Sequence, residues 1–231
     1  MPYLNVTDDA AEVFLGTAGV ELDENNPENR FSPAWLDAVG ATLDEAVAAN
    51  KPIILSATGK FFSNGLDTDY VAAAPGELPA YLDRVHALYT RVLTLPAPTI
   101  AAVNGHAFGA GAMLVLCADH RVMRTERGFW SLPEAALTMP FTRGMAALVR
   151  TRTPDATATE AMLTSRRYGA ADAVAAGAVD ESVGVESLLD RAREVARERA
   201  GLVGPNQATI KRGLRGPLLE ALAVPTPPSL L

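Results

Sequence analysis

The sequence is poor in the residues that several chemistries require. It holds one cysteine, Cys117, so no disulfide can form within the chain. Its three histidines, His86, His106 and His120, stand in neither CxxC nor HExxH spacing, which speaks against a metal centre. Lys and Arg number 20 against 27 Asp and Glu, and the net charge of -7 leaves no general basic field to gather nucleic acid or an anionic membrane. No segment approaches the roughly 18 uninterrupted apolar residues of a membrane span. Residues 1–19 lack the basic start and apolar run of a secretory signal, because Asp8, Asp9 and Glu12 interrupt them. The expected compartment is the cytoplasm.

Nucleotide and hydrolase signatures are missing as well. There is no GxxxxGK and no GxSxG, and the glycines around residue 109 fail GxGxxG because Leu114 stands where the last glycine belongs. What remains is a chain of 231 residues, 48% hydrophobic and 20% charged, able to bury one sizeable core.

Strand-length and helix-length patterns alternate along it. Strands are expected at 13–17 and 20–23, then a turn-rich stretch at 24–30. Ser32 with Pro33 reads as a helix start, and Trp35, Leu36, Val39, Leu43 and Ala46 recur at helical spacing to about Asn50. An apolar strand at 52–57 leads into a turn-rich loop at 58–69 and a helix at 78–93, stopped by Pro96 and Pro98. The unit repeats as a strand at 99–104, a glycine segment at 105–111 and an apolar helix at 112–117. Strands at 121–125 and 128–131, a loop and a helix at 142–150 follow. Helices dominate from Pro154, with one strand at 178–183, and the proline-rich end at 225–228 is expected to fray. Such alternation means a layered α/β chain with parallel pairing, whose functional loops lie at strand C-termini. Those loops are 58–69, 104–111 and 130–141.

Each loop carries a chemical feature with a plain structural alternative. Gly105, Gly109 and Gly111 precede an apolar helix, so first-turn amides at Ala110, Gly111 and Ala112 are free to receive an anion. The same glycines also fit tight helix-to-sheet packing. Asn64-Gly65 marks a tight turn that presents the Leu66 amide outward. Glu134 is a lone carboxylate among apolar neighbours, suited to act as a base and then an acid if desolvated, or else to face solvent or cap the next helix.

Together the loops resemble the enoyl-CoA hydratase/isomerase (crotonase) family. Its F-x-x-G-x-D turn occurs as Phe62-Ser63-Asn64-Gly65-Leu66-Asp67, its N-G-x-A-x-G-x-G segment as Asn104 to Gly111, and its P-E pair as Pro133-Glu134. The order, the spacings and the stretch from Ala161 to Ala173 extend the similarity over about residues 12–215. The resemblance implies an α/β spiral of ββα repeats over 1–185 carrying an acyl-CoA site, and a C-terminal helical oligomerisation segment over 186–231. It implies a homotrimer or hexamer, with apolar helices at 188–195 and 218–224 near the contacts. The amides of Leu66 and Ala110 would form an oxyanion hole for the thioester. Ser63, Asn64, Gly65, Leu66, Asp67, Thr68, Asp69, Gly109 and Ala110 would border substrate and CoA. Asp119 would be structural, and no cofactor beyond the substrate's own CoA is implied.

One departure bears on the reaction. Hydratases of the family carry two glutamates, and at the first position this chain has Met113. A thioether cannot activate water, whereas moving a double bond from C3 to C2 of an enoyl thioester needs only one base. Glu134 meets that demand, so the resemblance is closest to Δ3,Δ2-enoyl-CoA isomerases. A hydratase, another acyl-CoA lyase or hydrolase, and a non-catalytic acyl-CoA-binding protein are the competing readings. His86 is expected on the surface or in helix packing rather than in catalysis. Arg166, Arg167, Arg212 and Arg215 are expected on solvated faces, with the option of meeting CoA phosphates.

Overall fold

The computed structural model describes residues 1–20 and 26–228. Strands β1 (Tyr3–Val6) and β2 (Ala11–Phe14) precede helix α1 (Pro33–Ala48), whose cap residue Ser32 accepts the Trp35 amide, as its sequence predicts. Three strand pairs follow: β3 (Ile53–Ser56) with β4 (Phe61–Ser63), β5 (Thr99–Val103) with β6 (His106–Phe108), and β7 (His120–Arg124) with β8 (Trp130–Ser131). Helices α2 (Thr68–Ala73) and α3 (Leu78–Leu93) come after the first pair, α4 (Ala110–Cys117) after the second and α5 (Arg143–Arg152) after the third. The chain continues through α6 (Asp155–Thr164), β9 (Arg167–Tyr168), α7 (Ala170–Ala175), β10 (Glu181–Val183), α8 (Leu188–Arg199), α9 (Pro205–Leu214) and α10 (Gly216–Leu222).

The first member of each pair joins a sheet of order β1-β2-β3-β5-β7-β10, parallel except for β1; the second joins a smaller sheet, β4-β6-β8-β9, parallel except for β9. This is a ββα spiral. Strands β3 and β5 are buried along their whole length because both faces of the large sheet are covered. Ile53, Leu55, Ala101 and Val103 face the principal core with α1, α3, α4 and α5, while Ile54, Ile100, Ala102 and Val122 face Leu188, Ala192, Val195 and Ala196 of α8. All eight residues of α4 are buried, as expected of a helix that is apolar all round. Among the described residues no helix is long and apolar enough to cross a membrane, and no cluster of three metal-ligating side chains occurs.

Several expectations are corrected. The strand expected at 13–17 lies at Ala11–Phe14, and its antiparallel partner β1 was not foreseen; Tyr3 stacks on Phe14 with centroids 4.9 Å apart. Val20 is in no strand, and 21–23 lie outside the described residues. The loops at 58–69 and 104–111 contain β4 and β6, each three residues long. Such strands are too short for a period-two pattern and exist because they pair with each other, Phe61 opposite His106. The end at 225–228 is tied down, since Thr226 is buried and donates its amide and hydroxyl to Asp83 Oδ1 at 2.9 and 2.7 Å.

The apolar residues Leu188, Val195, Leu218 and Leu222 are buried within the chain itself, whereas Ile210 and Leu214 of α9 are exposed. Arg215 is no solvated residue: it is 3% exposed and reaches Asp119 Oδ1 at 2.6 Å, beside Lys211 Nζ at 2.5 Å from Oδ2. Burial opposes ionisation of Asp119, but the two cations outweigh it and hold the carboxyl below its ordinary value. Asp119 thus locks α9 and α10 onto the end of α4.

Candidate active site

The turn after β4 and the start of α4 meet at close quarters. Ser63 is fully buried; its hydroxyl donates to the Asn29 carbonyl at 2.7 Å and accepts the Gly65 amide at 3.0 Å. Gly65 has φ +83°, and a β-carbon there would lie 2.6 Å from the Phe108 carbonyl and 3.1 Å from the Ala110 nitrogen. Only glycine permits this approach. It brings the Leu66 and Ala110 amides beside one cleft, and among the described residues neither amide donates a hydrogen bond. The Ala110 amide is also the first of a helix, where the dipole favours negative charge.

Two tyrosines of α3 hold these segments from behind. The Tyr81 hydroxyl accepts the Asp67 amide at 2.9 Å and donates to the Phe31 carbonyl at 2.8 Å. The Tyr89 hydroxyl donates to the Ala110 carbonyl at 2.9 Å. Asp67 caps α2 by accepting the Tyr70 amide at 3.3 Å. Burial pushes the Tyr81 hydroxyl up to about 12, so it stays protonated and able to donate.

Glu134 lies in a single 3-10 turn, Pro133–Ala135, directly after β8. Gly109, at φ +51°, leaves room for it: a β-carbon there would sit 3.1 Å from Glu134 Oε1. Glu134 Oε2 is buried without a hydrogen-bond partner. Burial raises the carboxyl to about 7, against a smaller lowering by its own backbone amide. A group so poised can both take and return a proton near neutral pH.

Two neighbouring spaces share this carboxylate in their walls. An outer cleft of about 270 Å³ is lined by Asn64, Leu66, Thr68, Gly109, Ala110 and Glu134, with Arg30 and Arg167 at its rim. A narrower inner pocket of about 20 Å³ shares Leu66, Ala110, Glu134 and Met139 with the cleft and is otherwise walled by residues of α3, α5 and the segment before α5. Among the described residues lining either space, Glu134 is the only carboxylate. Met113 is fully buried in α4 and lines neither space.

The structure therefore gathers Glu134, Leu66, Ala110, Gly109, Asn64 and Thr68 around one cavity. Ser63, Gly65 and Asp67 shape the turn from beneath, and Asp69 is exposed and paired with Arg30 at 2.9 Å. Arg167 also lies over the Phe108 ring, 5.8 Å from its centroid. Arg166 faces away to Glu160 and Asp172. His86 is buried and joins Thr142 Oγ1 at 2.8 Å, a packing role. His106 packs in tilted ring contacts with Phe61, Phe108 and Phe129. Arg30 and the pocket-lining Leu78, Leu82 and Met145 were not foreseen. The first sits in a turn-rich stretch without a pattern, and the others look like ordinary helix-core positions.

Known proteins resemble this chain along much of its length. Residues 15–215 match the family model described as enoyl-CoA hydratase/isomerase. The peroxisomal enoyl-CoA delta isomerase 2 of Arabidopsis thaliana is 31% identical over 217 residues, 86% of this chain and 89% of its own. The carnitinyl-CoA dehydratase of Escherichia coli is 41% identical over 149 residues, 63% of this chain and 56% of its own. The crystal structure of a probable enoyl-CoA hydratase from Mycobacterium tuberculosis superposes with a TM-score of 0.84 at 26% identity, covering 96% of this chain and 91% of that one.

Proposed function

The chain belongs to the enoyl-CoA hydratase/isomerase family, and from that premise we propose that it is a Δ3,Δ2-enoyl-CoA isomerase. The observation that carries this reading is the solitary carboxylate: Glu134 faces the cleft, and Met113 supplies no second acid-base group. The substrate thioester oxygen would rest between the Leu66 and Ala110 amides. Glu134, as carboxylate, would take a proton from C2, breaking the C2–H bond and delocalising the electron pair through C1 onto that oxygen and through C3 to C4. The two amides would stabilise the dienolate charge, each by up to roughly 3 to 4 kcal/mol. Protonated Glu134 would then return the proton at C4, leaving the double bond between C2 and C3. No cofactor takes part, because the CoA arrives with the substrate.

Arg30 and Arg167 at the rim of the cleft suit the CoA phosphates. The division into a catalytic spiral over 1–185 and an assembling segment over 186–231 is part of the same proposal. The exposed Ile210 and Leu214 of α9 support a homotrimer or hexamer, which light scattering would reveal; a stable monomer at micromolar concentration would remove it.

The second reading, hydration or dehydration of an acyl-CoA, is favoured by the identity to the carnitinyl-CoA dehydratase. Product analysis decides between the two. The isomerase reading expects a 3-enoyl-CoA to be converted to the conjugated 2-enoyl-CoA and crotonyl-CoA to be hydrated far more slowly. Comparable hydration of crotonyl-CoA would sink it.

A further inference from the structure

The inner pocket has a size that bears on the substrate. With the thioester oxygen on the Leu66 and Ala110 amides, C2 at Glu134 and the CoA in the outer cleft beside Arg30 and Arg167, the inner pocket bounded by the same three residues offers its space to the acyl atoms from C3 onward. That space is about 20 Å³, room for one or two water-sized atoms. Beyond it stand Leu78 and Leu82 of α3 and Met145 of α5, respectively 6%, 4% and 5% exposed and all packed into the principal core. The walls are also pinned to each other. Thr142 accepts the Met145 amide at 3.1 Å as the cap of α5 and joins His86 of α3 at 2.8 Å, so the two helices cannot part without breaking a buried polar contact.

We propose that this pocket is cut for a four-carbon acyl group, making the substrate class short-chain 3-enoyl-CoA thioesters, with Leu78, Leu82 and Met145 as the residues that set the limit. The inference rests on the isomerase reading for the placement of C2. In a four-carbon substrate C4 is the chain end, lying within reach of the same Glu134 that removes the C2 proton. A longer chain must displace packed side chains to place its C4 there.

Saturated thioesters test the pocket without requiring turnover. In a permissive groove each added methylene raises affinity about fourfold, so octanoyl-CoA would bind more tightly than butyryl-CoA. The narrow pocket reverses the order. Calorimetry on the wild-type protein should show butyryl-CoA binding at least about tenfold more tightly than octanoyl-CoA. Leu82→Ala, with Met145→Ala as the second variant, should shift that ratio at least about tenfold towards octanoyl-CoA. Octanoyl-CoA binding as tightly as butyryl-CoA to the wild type overturns the proposal, as does a ratio unmoved in both variants when circular dichroism shows them folded. A butyryl preference without isomerisation of but-3-enoyl-CoA removes the isomerase reading and leaves the pocket assignment standing. Failure to bind either thioester removes both.

Discussion

Glu134 Oε1 occupies the space that a side chain on Gly109 would need, since a β-carbon built there falls 3.1 Å from it. The glycine also stands at φ +51°, a conformation costly for other residues. Gly109→Ala should therefore displace the carboxylate and strain the start of α4 together. Turnover on a 3-enoyl-CoA should fall at least about tenfold, with loss of roughly 1 to 3 kcal/mol of stability. Steady-state kinetics beside urea melts check this, and an alanine variant of normal rate and stability would show that the contact is slack.

Glu134→Gln removes the base while keeping shape. Turnover should drop about 100-fold or more, with binding of a saturated acyl-CoA retained. In the wild type the rate should rise with pH towards a plateau above about 7, as the carboxylate ionises. Stability carries the opposite sign. Because folding raises the pKa from 4.5 to about 7, the folded state holds the proton more tightly, and stability declines as pH rises between those values. The penalty at pH 8 is on the order of 3 kcal/mol. The Gln variant should accordingly melt above the wild type at pH 8 and match it near pH 4. Identical melting temperatures at both pH values would refute a desolvated carboxylate.

Ala110 is the first residue of α4, where proline is tolerated by the helix but offers no amide hydrogen. Ala110→Pro thus deletes one proposed oxyanion donor. The expected loss in kcat is about 100- to 1,000-fold, on the scale of losing one such donor. Full turnover with the fold intact would show that the thioester oxygen rests elsewhere.

Asp119→Asn should destabilise the chain by roughly 3 to 5 kcal/mol, because it leaves the buried Lys211 and Arg215 charges without their counter-ion. The wild-type contribution is fully present above the ordinary value of 3.8 and fades as pH falls through the lowered folded value. Denaturant titrations at pH 7 and pH 3 measure both effects. A variant as stable as the wild type at pH 7 would mean that water already screens the pair.

The features most legible in the sequence were those written in local chemistry. Helix α3 was expected at 78–93 and lies there, because Leu82, Val85, Tyr89 and Val92 keep strict helical spacing and Pro96 ends the pattern. Gly65 signalled a tight turn, Gly109 a close approach to backbone, and Glu134 stood out as a carboxylate with apolar neighbours. What escaped was set by partners distant in sequence. Strands β4 and β6 are defined by their pairing partners, and the Arg215 charge is buried against Asp119 and the Leu93 carbonyl. Leu78 and Leu82 occupy positions that read as core whether or not a substrate ever touches them.

The two tyrosines of α3 give the site a common chassis. Tyr81 grips the residue after Leu66 and Tyr89 grips Ala110, so one helix fastens the segments that carry both amides. The segments that bear them are far apart in the chain yet inherit their spacing from a third. A chimera that borrows either loop from a relative must bring along the facing turn of α3, or the borrowed loop arrives without its mooring.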